Sequence, residues 1–363
     1  MRFTLGKKMW IGILLLVMPF SLGGCAWEDK VIEYRPAETH DFQDVTTYTV
    51  TQEEGANTRN SEQDDFQRFF YNQLTDLEKG IYEKLLVSKE LFINNEAVFC
   101  GSYSGESGMS EEYHKGIIRA VTAYRADNPE ASIWLHTYQI KPDPVTVYDS
   151  FGNYDHIQRF DVYIVPESLK GSYSDFANPD ETRKAIAETE RLAKEFVSTL
   201  SGTDEEKLKQ IHDWILDGAV YDDTKSVSNL RSTYGAIVQK NCVCAGFAFA
   251  YKYVADLAGL NTIYVSGVGT DGEKSPEPHA WNHVYVNGMW VLVDLTWDLN
   301  ARYEMVVDEE NVTSYQNDDG TVVTEYTYKS VPVKNYDYLF ADITQESVSG
   351  RHVSTEEYGF CYS

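Results

Sequence analysis

The chain has 363 residues, room for two or three compact units, and 42% of them are hydrophobic and 13% aromatic, which excludes wholesale disorder. Lys and Arg number 31 against 57 Asp and Glu, a formal net charge of −26. A surface this acidic repels the phosphate backbone, so nucleic-acid binding is excluded, while solubility and neutral or basic partners are favoured.

The first 25 residues, MRFTLGKKMWIGILLLVMPFSLGGC, read as a targeting segment. Arg2, Lys7 and Lys8 give a basic start, and the apolar run from Met9 to Leu22 is shorter than the ~20 residues a membrane span needs. Leu22 followed by two glycines and Cys25 resembles the bacterial lipobox. That resemblance implies cleavage before Cys25, lipidation of Cys25, and an exported protein held to the extracytoplasmic membrane face by a lipid anchor only. An ordinary cleaved signal peptide is the alternative. Cleavage leaves 28 basic and 57 acidic residues, a mature charge of −29. Residues 26–60 are polar without periodicity and read as a tether.

Beyond the tether, 61–180 reads as an N-terminal α/β region and 181–363 as a second unit. Phe66, Phe69, Phe70, Leu74, Leu77, Ile81 and Leu85 have helical spacing, and Thr75 with Glu78 marks a helix restart by a capping box. Tyr113, Ile117, Val121 and Tyr124 predict a helix over 110–126, and SIWLHTY (132–138) and IQRFDVYIV (157–165) predict strands. Ile186, Leu192, Phe196 and Leu200 continue a helix from Thr182. Thr203 and Glu206 open another that carries Leu208, Ile211 and Ile215. A turn at Tyr221-Asp222, a helix around 229–239, and a helix from Cys244 stopped by Gly259 follow. The remainder reads as strands, with a polar hairpin near NDDG (317–320) inside a segment, 303–330, that looks inserted.

Asn287-Gly288 between alternating apolar runs is a two-residue hairpin signal that pairs Val286 with Met289, Trp281 with Asp294 and His279 with Thr296. One face then carries Ala280, Asn282, Val284, Val286, Met289, Val291, Val293 and Leu295, a core pattern. The other carries His279, Trp281, His283, Tyr285, Trp290, Leu292, Asp294 and Thr296, as a cleft wall would. His279 and Asp294 fall as diagonal neighbours on that face. An aspartate there fixes a histidine's tautomer; a purely structural hydrogen bond is the bland alternative.

Cys244 falls at the start of its helix, where N–H groups and the helix dipole stabilise a thiolate. The pattern is a recipe for acyl transfer: Cys244 attacks, His279 moves the proton and Asp294 orients His279. Cys242 and Cys244 are too close to bridge without a strained ring; if one of them is a working thiol, Cys100–Cys361 is a possible pair. Cys242, Cys244, His279 and His283 form a nominal metal set, but C-x-C with H-x₃-H on a strand is not zinc spacing, and no metal or cofactor is expected.

VCAGFAFAYKYVADLAG followed by HAWNHVYVNGMWVLVDLTWD resembles the transglutaminase-like domain of bacterial exported proteins. IHDWILDGAVYD, STYGAIV and YDYLFADITQESVSGRH resemble its lead-in and closing segments, and FYNQLTDLEKGIYEKLL and RADNPEASIWL resemble the region that precedes it in some members. The resemblance implies an α+β fold with a papain-like core, a nucleophile helix packed on an antiparallel sheet. It maps the family's catalytic positions onto Cys244, His279 and Asp294, and leaves Cys242 a bystander or redox partner. It implies a peptide or protein substrate and an amide-cleaving acyl-enzyme, with protein cross-linking and a catalytically inactive surface-binding module as the alternatives. Trp281 and Gln239 are supporting candidates, with Tyr234 and Gln239 considered as oxyanion donors. The loop GTDGEKSPEP (269–278) is placed to gate a cleft.

Overall fold

The computed structural model describes residues 66–103, 110–148, 154–166, 176, 178–222, 224, 227–270, 275–299, 302–316, 322–354 and 360. Cys25, the leader and the tether lie outside them. No helix among the described residues is long and apolar enough to cross a membrane.

The N-terminal part opens with α1 (Asp76–Val87), started by the Thr75–Glu78 capping box the sequence announces. Strand β1 (Val98–Tyr103) follows, then α2 (Glu111–Asp127), which Ser110 caps through the Tyr113 N–H. All four residues of the α2 stripe, Tyr113, Ile117, Val121 and Tyr124, are buried. Strands β2 (Tyr138–Tyr148) and β3 (Tyr154–Pro166) complete a three-stranded antiparallel sheet in the order β1-β3-β2. The strand expected over 132–138 is instead a 3-10 turn at Pro129–Ile133, and β2 starts only at Tyr138. Pro129 presets a turn conformation, and Ser132 donates back to the Pro129 carbonyl at 2.6 Å, so local hydrogen bonds override the apolar run.

Two helices lead into the second part: α3 (Pro179–Val197), capped by Asn178, and α4 (Asp204–Gly218), started by the Thr203–Glu206 capping box. The helix expected at 229–239 is one π-helical stretch, Gly235–Gln239. Helix α5 (Cys244–Leu257) has its residues from Cys244 to Ala255 buried, including Lys252, whose ammonium is held by Asp256 and the Thr262 carbonyl. Gly259 follows in the left-handed region at φ 75°, as a helix stop requires.

Strands β4 (Thr262–Gly269), β5 (Glu277–Val286), β6 (Met289–Val293), β7 (Leu339–Ala341) and β8 (His352–Ser354) form one antiparallel sheet. Its order is β7-β6-β5-β4-β8. Asn287 (φ 53°) and Gly288 (φ 80°) make the predicted two-residue turn, with Val286 opposite Met289 and His283 opposite Leu292. Helix α5 covers one face: Asn282 donates to the Ala248 carbonyl at 3.0 Å, and Val284, Val291 and Val293 pack with Phe247, Tyr251 and Val254. On that face Met289 is the exception, 62% exposed near the hairpin tip.

The other face is not an open cleft wall. His279, Trp281, His283, Leu292 and Asp294 are all buried, and only Tyr285 emerges, at 38%. Phe66 stacks on Tyr285 and Phe69 meets Trp290 edge-on, and residues 342–351, which run from β7 at one edge to β8 at the other, bring Ile343 and Val348 against the apolar cluster. That cluster also holds Ile81, Ile117, Val162, Ile263 and Trp281, so apolar packing is continuous between the two sheets. Around NDDG, strands Thr313–Gln316 and Val322–Glu325 pair antiparallel as a hairpin demands, and Arg302–Val307 pairs with Tyr328–Val333; residues 317–321 are not described.

Candidate active site

Helix α5 begins at Cys244. Its N-cap residue Val243 offers no side-chain cap, whereas α1, α2, α3 and α4 are all capped by an oxygen-bearing side chain. The positive end of the α5 dipole is thus not answered by a cap at the residue expected to carry a thiolate. Gly246 in the same turn permits close docking: a Cβ there would lie 2.5 Å from the Leu230 carbonyl and 2.6 Å from the Cys242 Cβ.

Cys244 is disulfide-bonded, and its partner lies outside the described residues. This differs from the free thiolate that the helix start led us to expect. Cys100 and Cys242 are free and buried. The possible Cys100–Cys361 pair is therefore not formed: Cys100 sits within β1, donates to the Val98 carbonyl at 3.5 Å, and burial pushes its thiol up to about 12. Burial likewise raises the Cys242 thiol well above its ordinary value, which makes it an inert neighbour of the helix start.

His279 and Asp294 meet as the hairpin register suggests, although not on paired strands. The ladder ends at Asn282–Val293, and LTWD, expected to continue the strand, turns into the short helix α6 (Leu295–Asp298). Asp294 caps α6, its Oδ1 accepting the Thr296 and Trp297 N–H groups at 2.9 and 3.2 Å. Its Oδ2 faces His279 Nε2 at 2.7 Å and His352 Nε2 at 2.9 Å. Burial alone pushes the Asp294 carboxyl up; attraction to and hydrogen bonding from His279, joined by the His352 hydrogen bond, outweigh it and hold the carboxyl well below the usual range. An ionised carboxylate only accepts, so Nε2 of His279 donates and Nδ1 is the nitrogen left to exchange a proton.

The supporting candidates sit as follows. Trp281 donates from Nε1 to His283 Nε2 at 3.1 Å and lies 5.9 Å from the His279 ring, nearly parallel to it. Gln239 donates to the Ser228 carbonyl at 2.8 Å, and Tyr234 meets Phe176 edge-on. Of the suspected gate, residues 271–274 are not described; its ends, Gly269 and Pro278, are paired strand residues. Among the described residues, the nominal set Cys242, Cys244, His279 and His283 is not a group whose ligand atoms lie close enough together to hold an ion. Among the described residues, the group that could hold an ion is His279, Asp294 and His352, whose ligand atoms lie within 4.8 Å of one another.

His352 escaped the sequence reading. It ends the segment YDYLFADITQESVSGRH, 58 residues beyond Asp294, and shows no spacing that marks a site. Its scarcity is the one usable signal, since the whole chain has eight histidines.

Residues 190–295 match the transglutaminase-like superfamily. Over 105 residues the chain is 32% identical to human kyphoscoliosis peptidase, a stretch that is 26% of this chain and 16% of that protein, so most of the human protein has no counterpart in the match. Among solved structures, a TGase crystal structure is similar at 14% identity and a TM-score of 0.28, covering 44% of this chain and 43% of the other. The periplasmic domain of TgpA from Pseudomonas aeruginosa bound to ethylmercury is similar at 16% identity and a TM-score of 0.25, covering 45% and 70%. The chain is an α+β protein, and its residues 190–295 form a domain of the transglutaminase-like superfamily.

Proposed function

We propose that the chain is a thiol-dependent amide hydrolase in which Cys244 is the nucleophile, His279 the proton carrier and Asp294 the residue that positions His279. The carrying observation is the 2.7 Å His279–Asp294 hydrogen bond, with Cys244 at its helix start in the same buried cluster as Trp281, two residues from His279. In the reduced protein the Cys244 thiolate attacks the amide carbonyl carbon. The C–N bond breaks as His279 gives its proton to the departing amine, leaving a thioester. Water, deprotonated by His279, then releases the acid and restores the thiol. Backbone N–H groups at the α5 start suit the oxyanion.

The substrate is a peptide or protein. Water rather than an amine is the acceptor, a choice that rests on likeness to a domain of a protein named a peptidase. A protein lipidated at Cys25 would do this chemistry on the outer face of the membrane; Cys25→Ala should abolish incorporation of labelled fatty acid. Because a disulfide-bonded sulfur cannot attack, a dithiol must first reduce Cys244.

The test uses reduced full-length chain, a mixture of unfolded protein substrates and a fluorescent primary amine. New peptide termini that disappear in Cys244→Ala, without amine incorporation, are expected. Incorporation of the amine would establish the cross-linking alternative, and neither product with any substrate would favour a binding module.

A further inference from the structure

We propose that His352 is a positioning residue that acts on His279 through Asp294, so that the working unit has four members rather than three. This rests on the catalytic reading of Cys244, His279 and Asp294 given above.

Asp294 is fully used as an acceptor. One oxygen is occupied by the two α6 N–H groups, and the other receives both His279 and His352. The α6 cap anchors Oδ1, and Oδ2 has two in-plane lone pairs. A second donor at 2.9 Å occupies one of them and leaves the other to His279, so the carboxylate is held from both sides.

His352 is itself held firmly. Its side chain is 1% exposed, and its ring lies 4.3 Å from Trp297, 5.1 Å from Trp281 and 5.4 Å from Tyr338. Its backbone is fixed by pairing with Gly269, the strand residue whose missing Cβ leaves room for His279: a Cβ there would fall 3.0 Å from the His279 Cβ. The other ring nitrogen, Nδ1, faces the Val348 carbonyl at 3.4 Å, and the residue also lines a cavity of about 220 Å³ with His283, Leu292, Ile343, Val348 and Ser349.

The experiment separates the donor from the ring. His352→Phe keeps an aromatic ring and removes the N–H; His352→Gln keeps an N–H at the place of Nε2 and removes the ring. In reduced full-length protein, alkylation of Cys244 by iodoacetate and by iodoacetamide is followed by peptide mass spectrometry. The anionic reagent is favoured where an imidazolium stands beside the thiolate, so the ratio of the two rates reports where His279 is held, not whether the fold is stable.

We expect the ratio to fall roughly tenfold in H352F and to stay within about threefold of wild type in H352Q, in line with loss of one hydrogen bond to a charged acceptor. If H352F does not fold by near-ultraviolet circular dichroism, H352M, equally without a donor, takes its place. A wild-type ratio in the donorless variant would overturn the inference and leave Cys244 and His279 standing. Absence of any iodoacetate preference in wild type would overturn the catalytic reading and this inference together. Stoichiometric zinc in purified wild type, lost in both variants, would also overturn it, because the three side chains would then be metal ligands.

Discussion

Gly267 and Trp281 touch through space that a side chain would need: a Cβ at position 267 would fall 2.7 Å from Cη2 of the tryptophan and closer still to the Val353 carbonyl. Gly267 lies on β4 opposite His279, and Val353 belongs to β8. The indole and the last strand therefore share one glycine. Gly267→Ala should destabilise the protein by roughly 1–3 kcal/mol, as overpacking does, and slow Cys244 alkylation in the folded fraction. Urea melts of the two proteins check this; an unchanged midpoint would mean that β8 can shift at no cost.

Asp294→Asn should be the most damaging conservative change. Asparagine has one acceptor oxygen where four N–H groups now converge, and its amide would confront a donor. The rate of Cys244 alkylation at neutral pH should drop roughly 10²–10⁴-fold, the usual scale for loss of an oriented proton carrier. A loss below threefold would reduce the pair to a structural role.

Reactivity of Cys244 should depend wholly on reductant. In the oxidised protein none of the three core cysteines should react quickly, since Cys244 is bonded and burial keeps Cys100 and Cys242 protonated. After treatment with a dithiol, Cys244 alone should become fast. Mass spectrometry of alkylated peptides reads all three separately, and a fast Cys242 would place the nucleophile two residues earlier.

Asp127, the last residue of α2, accepts the Phe70 and Tyr71 N–H groups and the Tyr82 hydroxyl. Burial is the dominant influence and lifts its carboxyl to about 7 despite these donors. An unfolded aspartate titrates near 3.9. Between those values the unfolded chain ionises first, so the contribution of Asp127 is fully present below about pH 4 and is lost as pH rises towards about 7. The stability difference between wild type and Asp127→Asn should therefore shift against wild type by up to roughly 4 kcal/mol over that interval. A pH-independent difference in denaturant melts would show that the carboxylate is ionised throughout.

Local signals were legible in the sequence. The capping boxes at Thr75 and Thr203 and the Asn287-Gly288 turn involve neighbours within four residues, and each forms as read. The hairpin register then brought His279 to Asp294 even though the strand stops short, because Asp294 follows the last ladder residue, Val293, directly and caps the helix there. Leu295 to Asp298 misled because alternation continues through a segment whose start is decided by one carboxylate and two N–H groups. His352 and the bonding state of Cys244 depend on chain that returns from far along the sequence, and periodicity holds no record of such returns. For the same reason the face holding His279 looked open: the covering residues, 342–351, lie dozens of residues downstream.

Strand β8 pairs with β4, which precedes it by more than 80 residues, and it is the last sheet strand among the described residues. A chain emerging from the ribosome thus presents Cys244, His279 and Asp294 well before residue 352 exists. During that interval β4 has an unpaired edge and the Asp294 carboxylate lacks one donor. Long-range pairing is also the slowest to form. The nascent protein would carry the helix begun by Cys244 without the strand that closes the sheet, so synthesis order itself delays completion of the sheet until residues 352–354 have been made.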